Sequence, residues 1–296
     1  MNRSKTITTE NITDNANETH KTPVVTVGVP VYNGELTIRD ALLSILNQTY
    51  QNVEVIISDN ASTDRTSDIC RELAAQDKRI HYVRQPSNRG ATFNFNYVLD
   101  HACGEYFMWA ACDDKRSLDF IEVNCAFLAG HEDYVASTSP ARFTGGVFNE
   151  RKMGDSSLVG TPSDRFKTFF SGWHANGRFY SLMRTRILKT CPFTDQHYMA
   201  SDWTVVLFLA SLGKINCAQK GWVELGRDGV SRSKKAISIF QSSPLDVIVP
   251  FHHLWKDVSQ MASGYTLEAK TWILWAMVKL NLVALAMQVV LKLRRQ

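Results

Sequence analysis

Val24-Val25-Thr26-Val27-Gly28-Val29-Pro30-Val31-Tyr32-Asn33-Gly34 reads as a β-branched strand that runs into a polar turn. The same pattern recurs twice. Val53 to Ile57 leads into Ser58-Asp59-Asn60-Ala61-Ser62-Thr63-Asp64, and Tyr106 to Ala111 leads into Cys112-Asp113-Asp114. In an open α/β sheet the ligand crevice is formed by the loops at the carboxyl ends of the strands. Three polar, mostly acid-bearing loops are therefore predicted to converge on one cleft. Between the second and third lies a further polar loop, Asn88-Arg89-Gly90.

Helical stripes fill the gaps between these strands. Ile38, Ala41, Leu42, Ile45 and Leu46 share one face, as do Ile69, Cys70, Leu73 and Ala74, and then Phe95, Val98, Leu99 and Ala102. Ile80 to Val83 is a short additional strand. Strands alternating with helices predict an α/β fold with a mainly parallel sheet and helices on both faces. Beyond residue 120 the pattern weakens. A strand is expected over Phe179 to Met183, a helix over Thr204 to Leu212, and a mobile Gly-, Ser- and basic-rich loop over 221–244. The expected organisation is a disordered polar tail (1–22), a catalytic domain (23–244) with a nucleotide-binding half (23–118) and an acceptor half (119–244), and a separate helical segment (245–296).

Composition excludes several classes. A net charge of +4 with no arginine-rich block in the core region gives no support to nucleic-acid binding. The six cysteines form no Cys-x-x-Cys pair, which argues against a zinc knuckle and for reduced thiols in a cytoplasmic protein. Residues 1–22 lack the apolar stretch of a secretory signal.

Taken together, the sequence, order and spacing of these motifs resemble the family 2 glycosyltransferases over roughly residues 24–235. The resemblance implies a GT-A, Rossmann-like fold and an inverting, metal-dependent enzyme. Its donor would be a nucleotide-diphosphate sugar, UDP- or dTDP-linked. Its acceptor would be a saccharide or a lipid-linked sugar, in bacterial surface polysaccharide assembly. Asp113 and Asp114 are the expected ligands of Mn2+ or Mg2+, since hard divalent cations take carboxylate and phosphate oxygens. The family usually places a further acid two residues before Asp113, where this chain has Ala111. By the same resemblance Pro30, Tyr32, Asn33 and Glu35 line the base and ribose, and Asp59 accepts a hydrogen bond from the base. Asp59 would otherwise make a turn at the next helix start, a role that Asp64 fits better. Arg89 offers a fork to phosphate or ribose oxygens, or is a plain surface charge.

The expected base is Asp202, in Ser201-Asp202-Trp203 at a helix start where the family usually has a Glu-Asp pair. Its alternative role is that of a helix cap. Trp173 and His174 lie on the acceptor side by resemblance, with His174 either a ligand or structural. Trp203 is either core or a sugar-stacking face. Arg227 and Arg232 would clamp the diphosphate or simply be solvated. Two rivals stand beside this reading. One is a nucleotidyltransferase, although no glycine-rich phosphate loop follows the first strand. The other is a degenerate nucleotide-sugar-binding subunit, suggested by Ala111 and Ser201.

Thr271 to Leu291 is strongly apolar yet holds Lys279, whose burial at a bilayer centre costs roughly 2.5–3.5 kcal/mol. Asn281, Gln288, Lys292 and Arg295 share a face, which favours a helix lying in a membrane interface, giving peripheral membrane contact through 271–296 at the inner face of the cell membrane. Packing against the enzyme, a homo-oligomer contact and a spanning helix remain open.

Overall fold

A computed structural model describes residues 24–226, 240 and 243–293, and side chains only as far as Val290. The expected tail over 1–22, and Arg227 and Arg232, lie outside the described residues. The first half alternates β1 (Val25–Val31), α1 (Ile38–Leu46), β2 (Val53–Asp59), α2 (Thr66–Gln76), β3 (Ile80–Arg84), α3 (Ala91–Asp100) and β4 (Tyr106–Trp109). There follow β5 (Lys115–Arg116), α4 (Phe120–Ala129), β6 (Tyr134–Thr138), β7 (Ala141–Phe143), α5 (Glu150–Met153) and α6 (Pro162–Phe169). A 3-10 turn (Gly177–Tyr180) precedes β8 (Leu182–Arg184), α7 (Thr185–Leu188), α8 (Ser201–Leu212), β9 (Lys214–Cys217) and β10 (Val223–Leu225). The chain ends in α9 (Pro244–Ile248), α10 (His252–Met261) and α11 (Leu267–Leu293).

The main sheet has seven strands in the order β3-β2-β1-β4-β8-β6-β9. β1 pairs in parallel with β2 and β4, and β2 with β3. β8 is antiparallel to both of its neighbours. Every residue of β1 is buried, as expected of a central parallel strand covered on both faces. Gly28 admits α3: a Cβ there would lie 2.6 Å from Val98 Cγ2. The expected mixed α/β architecture with a mostly parallel sheet is what the structure shows.

The second half departs from expectation in three places. Phe179 and Tyr180 lie in the 3-10 turn, and the strand is displaced to Leu182–Arg184. The segment 221–244 is not loop throughout: Val223–Leu225 is the middle strand of a small sheet, β5-β10-β7, and Pro244 opens α9 behind a Ser243 capping box. A three-residue strand is too short to show a two-residue period. Nor does the described part of the C-terminal segment, 245–293, stand apart. Phe251, Leu254, Val258, Ile273 and Met277 bury into the same core cluster as Trp109, Met183 and Trp203.

Candidate functional site

β1 and β2 end level, with Val31 opposite Asp59 and Asp59 opposite Arg84 of β3. β4 joins β1 on its other side, so the turns after all these strands emerge at one sheet edge. Their backbones are laced together. Asn33 N–H donates to Ser62 Oγ (2.9 Å), and Thr63 N–H returns a bond to Asn33 Oδ1 (2.8 Å). Gly34 N–H donates to Thr66 Oγ1, and Glu35 N–H to Asp64 Oδ2. Asn60 Nδ2 donates to Asn88 Oδ1 and to the Gly90 carbonyl, while Arg89 N–H donates to Asn60 Oδ1. A Cβ on Gly34 would lie 3.2 Å from Cys112 Sγ, so the turn after β1 also touches the turn after β4.

Backbone strain concentrates near this edge and on the acceptor side. Among the described residues, the non-glycine positions with positive φ are Asn33 (53°), Ala61 (61°), Asn176 (54°) and Ala200 (66°). Each lies in a turn carrying a predicted site residue or immediately before one. Such conformations cost roughly 1–3 kcal/mol each and persist only where surrounding structure imposes them, which is typical of binding sites.

Within the donor half the predicted residues divide. Tyr32 is exposed and Pro30 is buried in β1. Glu35 accepts Arg65 N–H at 3.0 Å, and Asp64 accepts Thr66 N–H, so both acids serve the start of α2. Asp59 is fully buried. It accepts Ser62 N–H and the Tyr82 hydroxyl, each at 2.8 Å, with Arg84 Nε at 3.6 Å. Arg89 is exposed and lies 3.6 Å over the Phe93 ring.

The paired aspartates differ in burial, and both meet Gly226. Asp114 is buried, accepting Gly226 N–H (3.0 Å) and Ala111 N–H (3.3 Å), with Arg116 Nη2 at 4.0 Å. Burial pushes its carboxyl up to about 7 against the pull of that guanidinium. Asp113 is only half-buried, and its carboxylate packs directly against Gly226. A Cβ at Gly226 would lie 1.7 Å from Asp113 Oδ2 and 2.6 Å from its Cβ. Gly226 is thus a site residue that sequence reading missed. Gly226→Ala should displace Asp113 and lower metal-dependent nucleotide affinity by about tenfold or more, since overpacking of this severity typically costs ~1–3 kcal/mol. Calorimetry with the variant, checked for native circular dichroism, tests this; wild-type affinity would contradict it.

On the acceptor side, Asp202 sits half-buried in the first turn of α8 and accepts Asn176 Nδ2–H at 2.9 Å. Ala200 holds the cap position, and the Asp202 carboxylate, within the first turn, also accepts the Trp203 backbone N–H. Burial raises its carboxyl above the ordinary range, and the Asn176 hydrogen bond opposes that rise. The Tyr180 phenol lies in the 3-10 turn that follows Asn176. Burial, then the charges of Asp114, Asp202 and Asp113, hold it neutral, with a pKa well above the phenol norm. Phe179 stacks flat on Trp109 at 4.7 Å, which seats this turn against β4. Tyr180 carries no sequence signal of its own, whereas Asn176 belongs to the stretch Trp173 to Arg178 that the family resemblance puts on the acceptor side.

His174 is committed to the fold. Its Nε2 donates to the Phe169 carbonyl (3.0 Å) and its Nδ1 accepts Asn176 N–H (3.1 Å). Burial drops its imidazole to about 4, so it is neutral. Trp203 is buried and stacks on His174, which decides between its two expected roles in favour of core. Trp173 is exposed and meets Trp203 edge-on.

A second grouping of ligand type lies on α9 and α10, where Asp246 Oδ1 is 3.4 Å from His252 Nδ1 and 3.7 Å from His253 Nε2. Imidazole donors suit zinc-like ions more than oxygen-loving Mg2+ or Mn2+. The strand-end carboxylates are the better match to a metal bound with diphosphate.

In an α/β sheet of this kind the ligand crevice lies outside the carboxyl ends of the parallel strands, where these turns present their carboxylates. Residues 26–191 match the profile of glycosyl transferase family 2, and the chain belongs to that family. It is 35% identical over 106 residues to an uncharacterized glycosyltransferase of Haemophilus influenzae, covering 36% of this chain and 42% of the relative. It is 38% identical over 106 residues to a putative teichuronic acid biosynthesis glycosyltransferase, TuaG, of Bacillus subtilis, covering 36% and 42%. The matches span less than half the length of these relatives. In fold the chain resembles TarS of S. aureus, with a TM-score of 0.57 at 17% identity over 87% of this chain and 81% of that one. It also resembles the mannosyltransferase PcManGT of Pyrobaculum calidifontis, solved with GDP-Man and Mn2+, with a TM-score of 0.53 at 20% identity over 92% and 85%.

Proposed function

We propose that this chain transfers a sugar from a nucleoside-diphosphate donor to a saccharide or lipid-linked acceptor, with inversion at the anomeric carbon. The observation that carries the reading is the convergence of the turns after β1, β2 and β4, which bring Asp59, Asp113 and Asp114 to the carboxyl edge of the sheet. TarS has been solved with UDP and with UDP-GlcNAc, and PcManGT with GDP-Man, which supports a nucleotide-sugar donor without selecting its base. A relative named for teichuronic acid biosynthesis supports a role in bacterial surface polysaccharide assembly.

The donor set fits a hard divalent cation. Asp113 supplies one half-buried carboxylate beside Gly226, and Mg2+ commonly takes one or two carboxylates with substrate phosphates and waters. Asp114 is better read as the acid that locks the Ala111 turn to Gly226, so that Asp113 holds its position. When bound, Mn2+ or Mg2+ would neutralise charge developing on the diphosphate.

Asp202 takes the acceptor proton as that oxygen attacks the anomeric carbon. The bond from this carbon to the diphosphate breaks on the opposite face, and the nucleoside diphosphate leaves with the electron pair. A single displacement inverts the centre. A carboxylate raised by burial is the stronger base, and Asn176 aims it. Because the base acts deprotonated, turnover falls as pH drops through the Asp202 pKa. Asn176→Gly, which tolerates the left-handed backbone, removes a bond that favours the charged form. The acid limb of the kcat profile should therefore move to higher pH; an unmoved limb would contradict the assignment.

A non-catalytic nucleotide-sugar-binding subunit is the second reading, favoured by Ala111 and Ser201 standing where the family usually has acids. A thermal-shift screen of nucleoside diphosphates and their sugars, with and without manganese, tests donor recognition, since a ligand that binds only the folded state raises Tm. The proposal expects a manganese-dependent shift with at least one donor, and none with any would overturn it.

A further inference from the structure

α11 turns its two amide side chains inward. Asn281 and Gln288 are buried along with Ala269, Ile273, Met277 and Ala284. Asn281 Oδ1 accepts Phe251 N–H at 2.9 Å, and its Nδ2 donates to the Met277 carbonyl. The expected solvent-facing polar stripe through Asn281 and Gln288 is thus the face that docks on the protein. The outer face is apolar: Leu274, Trp275, Val278, Leu282, Met287 and Val290 are all exposed. Trp275 is 59% and Leu282 61% accessible, along a helix of about 40 Å.

Charge is localised on the same segment. Residues 267–296 hold Lys270, Lys279, Lys292, Arg294 and Arg295 against the single acid Glu268, a net +4, which equals the formal charge of the whole chain. The remaining residues are therefore neutral in sum. Glu268 lies 3.7 Å from Lys167, and Lys279 Nζ lies 5.3 Å over the exposed Trp275 ring.

We propose that the outer face of α11 seats in the interfacial layer of an anionic lipid bilayer, with the helix lying along the surface. Apolar burial and attraction of basic residues to acidic headgroups act together in such a helix. Crossing the bilayer would tear Ile273 and Met277 out of the core that they share with Trp109 and Trp203. A second copy on this face would oppose two segments of net +4, whereas anionic headgroups neutralise them. The attachment is independent of the transfer chemistry, and would hold the acceptor side near a lipid-linked substrate.

Cosedimentation of the full-length protein with vesicles tests this, using phosphatidylcholine alone and an equimolar mixture with phosphatidylglycerol. Binding should be at least about tenfold stronger to the anionic vesicles and should fall with salt. Trp275→Glu with Leu282→Glu should lower it by about tenfold or more while leaving Tm near the wild-type value. Should that pair unfold the protein, Lys270→Glu with Lys279→Glu, both exposed, should lower anionic binding to a similar extent. Wild-type protein left in the supernatant, or binding equally to both vesicle types, overturns the proposal. So does a wild-type dimer, lost in the Trp275→Glu and Leu282→Glu variant, that ignores vesicles: it would give the face to a second copy.

Discussion

Asp113→Ala is expected to lower manganese-dependent affinity for the nucleoside diphosphate by at least about 100-fold, a change of roughly 2.7 kcal/mol. The magnitude follows from the geometry of the pair. Asp114 gives its oxygens to the Gly226 and Ala111 amides and has Arg116 nearby, whereas Asp113 is half-buried beside them. An ion carried by one protein carboxylate loses its anchorage when that carboxylate is removed. Nucleotide affinity without metal should change much less, because the turns after β1 and β2 are untouched. Titration calorimetry of both proteins with and without manganese is the measurement; equal affinities in manganese would remove Asp113 from the metal site.

Asp202→Asn is expected to leave donor affinity intact while turnover falls by about 10²–10⁴-fold, the usual range for loss of a general base. Asparagine keeps the shape but accepts no proton at neutral pH. It can also retain a hydrogen bond to Asn176, so the start of α8 should hold. Steady-state kinetics paired with donor calorimetry separate the two effects. Wild-type turnover in the variant would place the base elsewhere. His174 is then a poor substitute, since both of its nitrogens are engaged and its imidazole titrates near 4.

The donor half was legible because its signals are local. Buried parallel strands are continuous apolar runs, and the polar residues that end them sit within a few positions. β1, β2 and β4 and the turns bearing Tyr32, Asp59 and Asp113 follow from that pattern. The acceptor half was less legible because its determinants are non-local. Gly226 meets Asp114 across 112 positions, and nothing at either place in the sequence announces the other. Tyr180 stands in a single 3-10 turn with no period to detect, and β5, β7 and β10 have two or three residues each. α8 shows the converse problem. Trp203, Val205, Val206, Leu207, Leu209 and Ala210 are all buried, so the helix has no polar face to set its orientation. α11 was recognised as apolar, but hydropathy does not say which side meets the protein. The inward Asn281, bonded to the Phe251 amide, decides that, and it is a tertiary contact.

Donor turnover tests the central claim most directly. Wild-type protein would be incubated with manganese and a panel of UDP-, dTDP- and GDP-sugars, and release of nucleoside diphosphate followed over time. The account predicts that at least one donor is consumed, that chelation stops the reaction, and that Asp113→Ala and Asp202→Asn both suppress it. Donors that bind but are never consumed, or release that persists undiminished in both variants, would contradict it.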